Sequence, residues 1–64
     1  MKKYKVKEVL ELLKKDGWYI DRKRGSHRQF CHPVKKRTVT VNGKEGETLS
    51  QFLLNSIFKQ AGWL

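Results

Sequence analysis

The sequence predicts an α+β domain in which one helix, three antiparallel strands and a second helix follow in the order α-β-β-β-α. Apolar residues recur at helical spacing near both ends of the chain, whereas the middle alternates aromatic or β-branched residues with polar ones. Both helices are expected to cover one face of the three-stranded sheet, because neither a sheet nor a helix buries its apolar side alone. We expect the 64 residues to form a single domain, residues 1–64, of marginal stability, since so short a chain buries only roughly 60% of its unfolded surface.

The first helix is predicted over residues 5–15. Its apolar residues are spaced i, i+3, i+4 and i+7 and therefore share one helical face: Val6, Val9, Leu10 and Leu13. Asp16 and Gly17 end the helix, because glycine readily adopts the left-handed conformation that follows a helix C-terminus.

The first two strands are predicted over residues 18–23 and 26–32, joined at Arg24-Gly25, where Gly25 supplies a positive φ. In the first strand, alternation places Trp18, Ile20 and Arg22 on one face and Tyr19, Asp21 and Lys23 on the other. In the second strand, the two sets are His27, Gln29 and Cys31 on one face and Arg28, Phe30 and His32 on the other. Pro33 ends this strand, because it cannot donate to the ladder.

The third strand is predicted over residues 37–41, after a turn at residues 34–36, with Val39 and Val41 facing one way and Thr38 and Thr40 the other. Asn42-Gly43 begins a loop. The second helix is predicted over residues 50–61, and either Thr48 or Ser50 can be its N-cap. Its apolar stripe comprises Leu53, Leu54, Ile57, Phe58 and Ala61, and Gly62 ends it, with Trp63 placed to pack back on Phe58.

The chain is strongly basic, with 15 Lys and Arg residues against six Asp and Glu residues and a formal charge of +9. Such a charge favours a polyanion or an acidic protein as partner. The single cysteine, Cys31, excludes an intramolecular disulfide and a multi-cysteine zinc site, and the adjacent His32 points to the opposite face of the strand. No apolar run approaches the roughly 20 residues of a membrane span, so we expect a cytoplasmic protein without membrane, metal or cofactor.

The candidate site is the sheet face opposite the helices. If the helices cover Trp18, Ile20 and Phe30, the other face displays His27 and Gln29 amid cations: Lys23, Arg24, Lys35, Lys36 and Arg37. Basic side chains bind phosphate groups, and imidazole is the side chain that changes its charge near neutral pH. These residue types together predict a phosphate-binding site in which one group can move a proton.

Five motifs resemble the HicA toxin family: Gly17-Trp18, Gly25-Ser26-His27, Phe30, His32-Pro33 and the closing Ser56-Ile57-Phe58-Lys59-Gln60-Ala61-Gly62. The resemblance covers nearly the whole chain in the expected order. It implies a fold like the double-stranded-RNA-binding domain and a metal-independent messenger-RNA interferase held inactive by a HicB-like antitoxin. It further implies a monomer that forms a hetero-oligomer with that antitoxin, whose surface is expected to be acidic.

The family's catalytic histidine carries over to His27. Charge and the resemblance together give these candidate RNA-binding residues: Lys23, Arg24, Ser26, Arg28, Lys35, Lys36 and Arg37. Three departures are visible: Arg28 stands where many relatives have a second histidine, Asn42-Gly43 replaces a Pro-x-His segment, and Gln51-Phe52-Leu53 replaces a Pro-x-Gly-Thr turn.

Two further function classes stay open at this point. A double-stranded-RNA binder without chemistry would share the fold and the charge, although residues 45–48, before the last helix, are acidic where such binders carry a lysine-rich loop. A DNA-binding module finds little support, because no helix-turn-helix pair is present. For the second proton carrier, His32 is a candidate, but strand alternation places it on the face opposite His27. Tyr19 fits either a base-stacking or a structural role.

Overall fold

The five predicted elements occur in the predicted order in the computed structural model, which describes residues 3–64; the first two residues of the predicted domain lie outside that range. The helices are α1 (Val6–Lys15) and α2 (Gln51–Gln60), and the strands are β1 (Tyr19–Arg24), β2 (His27–Cys31) and β3 (Thr38–Val41). The strands form one antiparallel sheet in the order β1-β2-β3. The predicted α-β-β-β-α architecture is confirmed.

The core lies between the helices and the part of the sheet that β2 and β3 form. Phe30, Val39 and Val41 are buried on one face of these strands, as their alternation predicts. They join a single cluster with residues from both helices and the adjoining loops: Val6, Val9, Leu13, Trp18, Leu49, Leu54, Ile57 and Ala61. The opposite sheet face, called the free face below, carries Tyr19, Arg22, Arg24, His27, Gln29, Cys31, Thr38 and Thr40.

β1 lies at the edge of the sheet and is exposed along its whole length. The helices therefore cover Trp18 and Phe30 but leave Ile20, which the condition stated above grouped with them, largely uncovered. Ile20 pairs with Phe30 and shares its face, but it is 42% exposed because the buried helix residues pack over β2 and β3. The apolar stripe of the second helix is likewise narrower than predicted, since Leu53 is 49% exposed.

A β-bulge in β1 changes which residues share a face. Ile20 and Arg22 pair with successive residues of β2, so Asp21 between them is extra. Beyond the bulge the alternation is shifted by one residue, which places Arg22 and Arg24 on the free face and Lys23 on the helix side. The predicted faces of Arg22 and Lys23 are thus exchanged.

The turns and caps differ from prediction by one or two residues. Arg24 pairs with His27, so the hairpin loop is Gly25-Ser26 rather than Arg24-Gly25, and Gly25 has the predicted positive φ of 60°. Of the two candidate N-caps for α2, Ser50 is the one used, and its hydroxyl accepts the backbone N–H of Leu53 at 3.2 Å.

Both helices end in the same motif. At the end of α2, Gly62 has a φ of 78°, the N–H of Trp63 donates to the carbonyl of Phe58 at 2.8 Å, and the two rings pack edge-on. This is the predicted Schellman motif with its hydrophobic contact. Gly17 and Trp18 end α1 in the same way, with a φ of 99° at the glycine.

One carboxylate oxygen joins the two helix ends to the loop between β2 and β3. Oδ2 of Asp16 accepts hydrogen bonds from Nζ of Lys35 at 2.7 Å, Nε1 of Trp18 at 2.9 Å and Nε1 of Trp63 at 3.0 Å. The bond from Lys35, followed by those from Trp63 and Trp18, lowers the pKa of Asp16 from 3.8 to about 2.

The depressed pKa of Asp16 predicts an acid-sensitive contribution to stability. A carboxyl group whose pKa is lower in the folded state stabilises the fold above its unfolded value, and this stabilisation is lost as the pH falls through the folded value. We expect Asp16→Asn to be less stable than wild type at neutral pH, with a difference that shrinks between about pH 4 and pH 2. Urea unfolding at each pH measures this difference in the free energy of unfolding.

The control for that experiment is Asp21→Asn, which removes the same charge from an exposed position on β1. The free energy of unfolding of Asp21→Asn should stay close to that of wild type at every pH measured. If the difference in free energy of unfolding between Asp16→Asn and wild type does not change with pH, the lowered pKa of Asp16 is contradicted.

The two helix-ending glycines provide a second prediction about stability. An added Cβ at Gly17 would lie 2.9 Å from Nε2 of His32, whereas nothing lies within 4 Å at Gly62. Both positions are left-handed, which costs a side-chain-bearing residue roughly 1–2 kcal/mol. We expect Gly62→Ala to lower the free energy of unfolding by about that amount. Gly17→Ala should lower it further, because the side chain of His32 must also move. Equal losses in urea unfolding would show that the close approach carries no cost.

Candidate functional site

The predicted catalytic residue His27 is the first residue of β2, directly after the Gly25-Ser26 turn. Its side chain is exposed on the free face. The last pair of the β2–β3 ladder is Arg28 with Val41, so the next residues along the two strands, His27 and Asn42, stand opposite each other.

A hydrogen bond joins these two side chains. Nδ1 of His27 lies 2.9 Å from Oδ1 of Asn42. Because a carboxamide oxygen only accepts, Nδ1 carries the hydrogen, and in the neutral ring Nε2 keeps its lone pair. The arrangement leaves Nε2 as the ring atom that can take or return a proton.

Two arginines from β1 flank His27. Arg24 pairs directly with His27, and the bulge at Asp21 places Arg22 two residues away on the same face. They border an open depression of about 560 Å³ on the free face, lined by Arg22, Lys23, Arg24, His27, Arg28, Gln29 and Thr40. None of these seven residues is acidic, so the depression is suited to an anion.

Arg28 lies on the strand face that alternation predicts, together with Phe30, and therefore away from the candidate RNA-binding face. It is only 7% exposed and lies on the helix side of β2. Its Nη1 donates to the carbonyl oxygens of Gly43 at 2.9 Å and Ser26 at 3.3 Å. Arg28 therefore holds together the two turns on either side of His27. Ser26, also predicted to bind RNA, is half-buried in the first of these turns.

Three other predicted RNA-binding residues lie in the loop after β2, at the opposite end of the sheet from His27. β2 rises about 3.4 Å per residue, so its far end is roughly 14 Å from His27. Lys35 donates to Asp16 and to the carbonyl of Ala61, and Arg37 donates to the carbonyl of Lys59 at 3.3 Å. Lys36 is exposed in the same loop. The expectation that these cations flank His27 is therefore wrong, because the whole length of β2 separates His27 from the loop that carries them.

His32 takes part in the structure at that far end. Its Nδ1 accepts the backbone N–H groups of Val34 and Lys35 at 3.1 Å, and its Nε2 donates to the carbonyl of Asp16 at 2.6 Å. The ring also packs edge-on against Trp18, with centroids 5.1 Å apart. Both ring nitrogens are thus occupied, and His32 lies away from the depression around His27, as its predicted face implies.

Arg22 and Asn42 belong to the site but were not among its predicted residues. Simple alternation assigned Arg22 to the helix side, and no local sequence signal marks the bulge that reverses its face. The sequence predicts a loop at Asn42, because glycine follows it. Phe30 and Val39 are both core residues and pair with each other. If this register is continued along the two strands, His27 comes to lie opposite Asn42, which identifies Asn42 as a neighbour of the site.

The described part of the chain contains neither a cluster of potential metal ligands nor a helix that could span a membrane. Residues 3–64 contain no group of three or more His, Cys, Asp or Glu side chains placed to hold a metal ion. Among the described residues, neither helix, α1 or α2, is long and apolar enough to cross a bilayer.

Comparison with known families gives one result. The model of a family described as the HicA toxin of bacterial toxin–antitoxin systems matches residues 6–63. No curated protein matches the chain. The matched range takes in both helices, the whole sheet and every residue of the depression around His27.

Proposed function

The chain belongs to the HicA toxin family, and on that premise we propose that it is a metal-independent endoribonuclease that cleaves messenger RNA. As a toxin of a toxin–antitoxin system it has an antitoxin partner, which we take to be HicB-like and to act in the cytoplasm. The observation that carries the proposal is His27 itself: an exposed imidazole, hydrogen-bonded at Nδ1 and flanked by two arginines on the free face.

RNA supplies its own nucleophile, the ribose 2′-hydroxyl. Nε2 of His27 takes the hydroxyl proton while the 2′-oxygen attacks the adjacent phosphorus. The bond from phosphorus to the 5′-oxygen breaks, and that oxygen takes a proton from the imidazolium or from water. The products are a 2′,3′-cyclic phosphate and a free 5′-hydroxyl, and the reaction consumes no other reactant.

Arg22 and Arg24 are the cations best placed for the phosphate. Both lie on the free face with His27, where a guanidinium can donate two parallel hydrogen bonds to phosphate oxygens. They stabilise the additional negative charge that develops on the phosphorane. Arg28 supports this arrangement from behind by fixing the turns, rather than by touching RNA.

The non-catalytic alternative is less well supported. A double-stranded-RNA binder would use the segment before its last helix as a basic contact. Here that segment is acidic and docks on the start of α1, where the N–H groups of Val6 and Lys7 donate to the carbonyls of Glu47 and Glu45. These carbonyls satisfy helix donors that would otherwise lack partners.

Charge also bears on the antitoxin. An inhibitor must cover His27, and the basic residues around it favour acidic groups on the inhibitor's surface. Opposite charges of this kind raise the association rate. The toxin alone is expected to be a monomer and the neutralised form a hetero-oligomer.

Replacing the imidazole tests the chemistry. We expect His27→Ala to lower the rate of messenger-RNA cleavage by on the order of 10²–10⁴, with chelator present throughout. Lys14→Ala, which removes an exposed cation on α1, serves as the control and should cleave at the wild-type rate. Gel analysis gives the rate, and end-group analysis should find the 2′,3′-cyclic phosphate. Wild-type cleavage by a folded His27→Ala protein would refute the catalytic role, and RNA binding without cleavage by wild type would favour the alternative.

Replacing Arg22 tests the phosphate contact that the bulge creates. A 2′-deoxy oligonucleotide cannot be cleaved and so reports binding alone. We expect Arg22→Ala to bind it more weakly and to reduce the slope of log affinity against log salt by about 1, as loss of one phosphate contact does. Lys14→Ala removes the same charge elsewhere and should keep the wild-type slope. Equal slopes for Arg22→Ala and wild type would remove Arg22 from the site.

A further inference from the structure

The contact between His27 and Asn42 has a consequence beyond the proposed activity. We propose that Asn42 is a positioning residue: it fixes the imidazole of His27 in the tautomer with hydrogen on Nδ1, so that Nε2 faces the substrate as the proton acceptor. This inference rests on the proposed function for its catalytic meaning. The ring geometry itself is independent of that function.

The first argument is the register of the sheet. Oδ1 of Asn42 reaches Nδ1 of His27 at 2.9 Å because the two residues follow the last pair of the β2–β3 ladder. Side chains directly opposite each other on adjacent antiparallel strands are within contact distance. The backbone of the two strands therefore brings these two exposed side chains within hydrogen-bonding reach of each other.

The second argument is the way in which the backbone beside Asn42 is held. The carbonyl of Gly43 accepts from the buried guanidinium of Arg28 at 2.9 Å. Gly43 has a φ of 109°, and a Cβ there would lie 3.2 Å from a carboxylate oxygen of Glu47 and 3.5 Å from Val6. The hydrogen bond at its carbonyl and the close packing at its Cα hold Gly43 in place, which keeps the neighbouring Asn42 within reach of His27.

The third argument is chemical. A histidine that acts as a base needs one nitrogen free and the other held, and the hydrogen bond at the held nitrogen decides the tautomer. A carboxamide oxygen performs this task without adding charge. The charged side chains that share the free face with His27 are Arg22 and Arg24 on β1, both of them cations, while Lys23 and Arg28 border the depression from the helix side.

Two substitutions separate positioning from a general structural effect. Asn42→Ala removes the acceptor. Asn42→Asp keeps an acceptor at the same place and adds a negative charge, which favours the imidazolium. Asn55→Ala is the matched control, because Asn55 is exposed on α2 and accepts from Gln51, far from the depression.

We expect Asn42→Ala to reduce kcat by roughly 10-fold or more, yet by less than the His27→Ala loss of about 10²–10⁴, while binding of the 2′-deoxy oligonucleotide is unchanged. Asn42→Asp should restore most of kcat and move the acidic limb of the pH–rate profile to higher pH. Asn55→Ala should behave as wild type. An Asn42→Ala protein with the wild-type kcat and pH profile would overturn the proposal.

Nitrogen NMR of the His27 ring supplies a readout that needs no RNA. In wild type and Asn42→Asp the neutral ring should carry its hydrogen on Nδ1, whereas in Asn42→Ala both tautomers should appear. If His27→Ala shows that the proposed cleavage is wrong, this measurement still decides whether Asn42 fixes the ring. An unchanged tautomer in Asn42→Ala would refute the proposal even if cleavage is confirmed.

Discussion

The carboxylate of Asp16 joins three parts of the fold that are distant in sequence. Its Oδ2 accepts from Trp18 at the end of α1, from Trp63 at the end of α2 and from Lys35 in the loop between β2 and β3. The backbone carbonyl of the same residue accepts from His32. A domain of 64 residues has a small core and little stability to spare. One polar residue therefore fixes the relative position of two helices and a sheet corner that apolar burial alone would hold more loosely.

This arrangement divides the sheet into two ends with different tasks. At one end, His32, Lys35 and Arg37 have partners within the fold. At the other, His27 and Arg24 lie exposed on the free face, supported from behind by Arg28. Histidines and basic residues at one end of the sheet are therefore structural, whereas those at the other end are exposed to a ligand. The groups that each side chain contacts decide between these roles. Net charge describes the whole surface, whereas the position of each cation in the sheet decides which of them line the depression around His27.

The sequence predicts what depends on neighbours along the chain. Helical spacing located α1 and α2, alternation identified the buried faces of β2 and β3, and Gly17 and Gly62 marked both helix ends. The exposure of Ile20, the bulge at Asp21 and the engagement of Lys35 by Asp16 were not predicted. Each of these depends on how distant segments meet: which strand lies at the edge, where the ladder takes up an extra residue, and which loop reaches a helix end. Local periodicity carries no record of such contacts.

Two of the departures from the family pattern are in contact with each other in this structure. The resemblance in sequence sets Arg28 against a second histidine of the family pattern and Asn42-Gly43 against a Pro-x-His segment. In the structure, Nη1 of Arg28 donates to the carbonyl of Gly43. Read separately, each departure removes a candidate acid or base. Together they form a connected unit, since the buried arginine fixes the loop and the loop presents Asn42 to His27 at 2.9 Å. The imidazole that lines the depression is thus oriented by a neutral carboxamide whose loop is held by a buried cation.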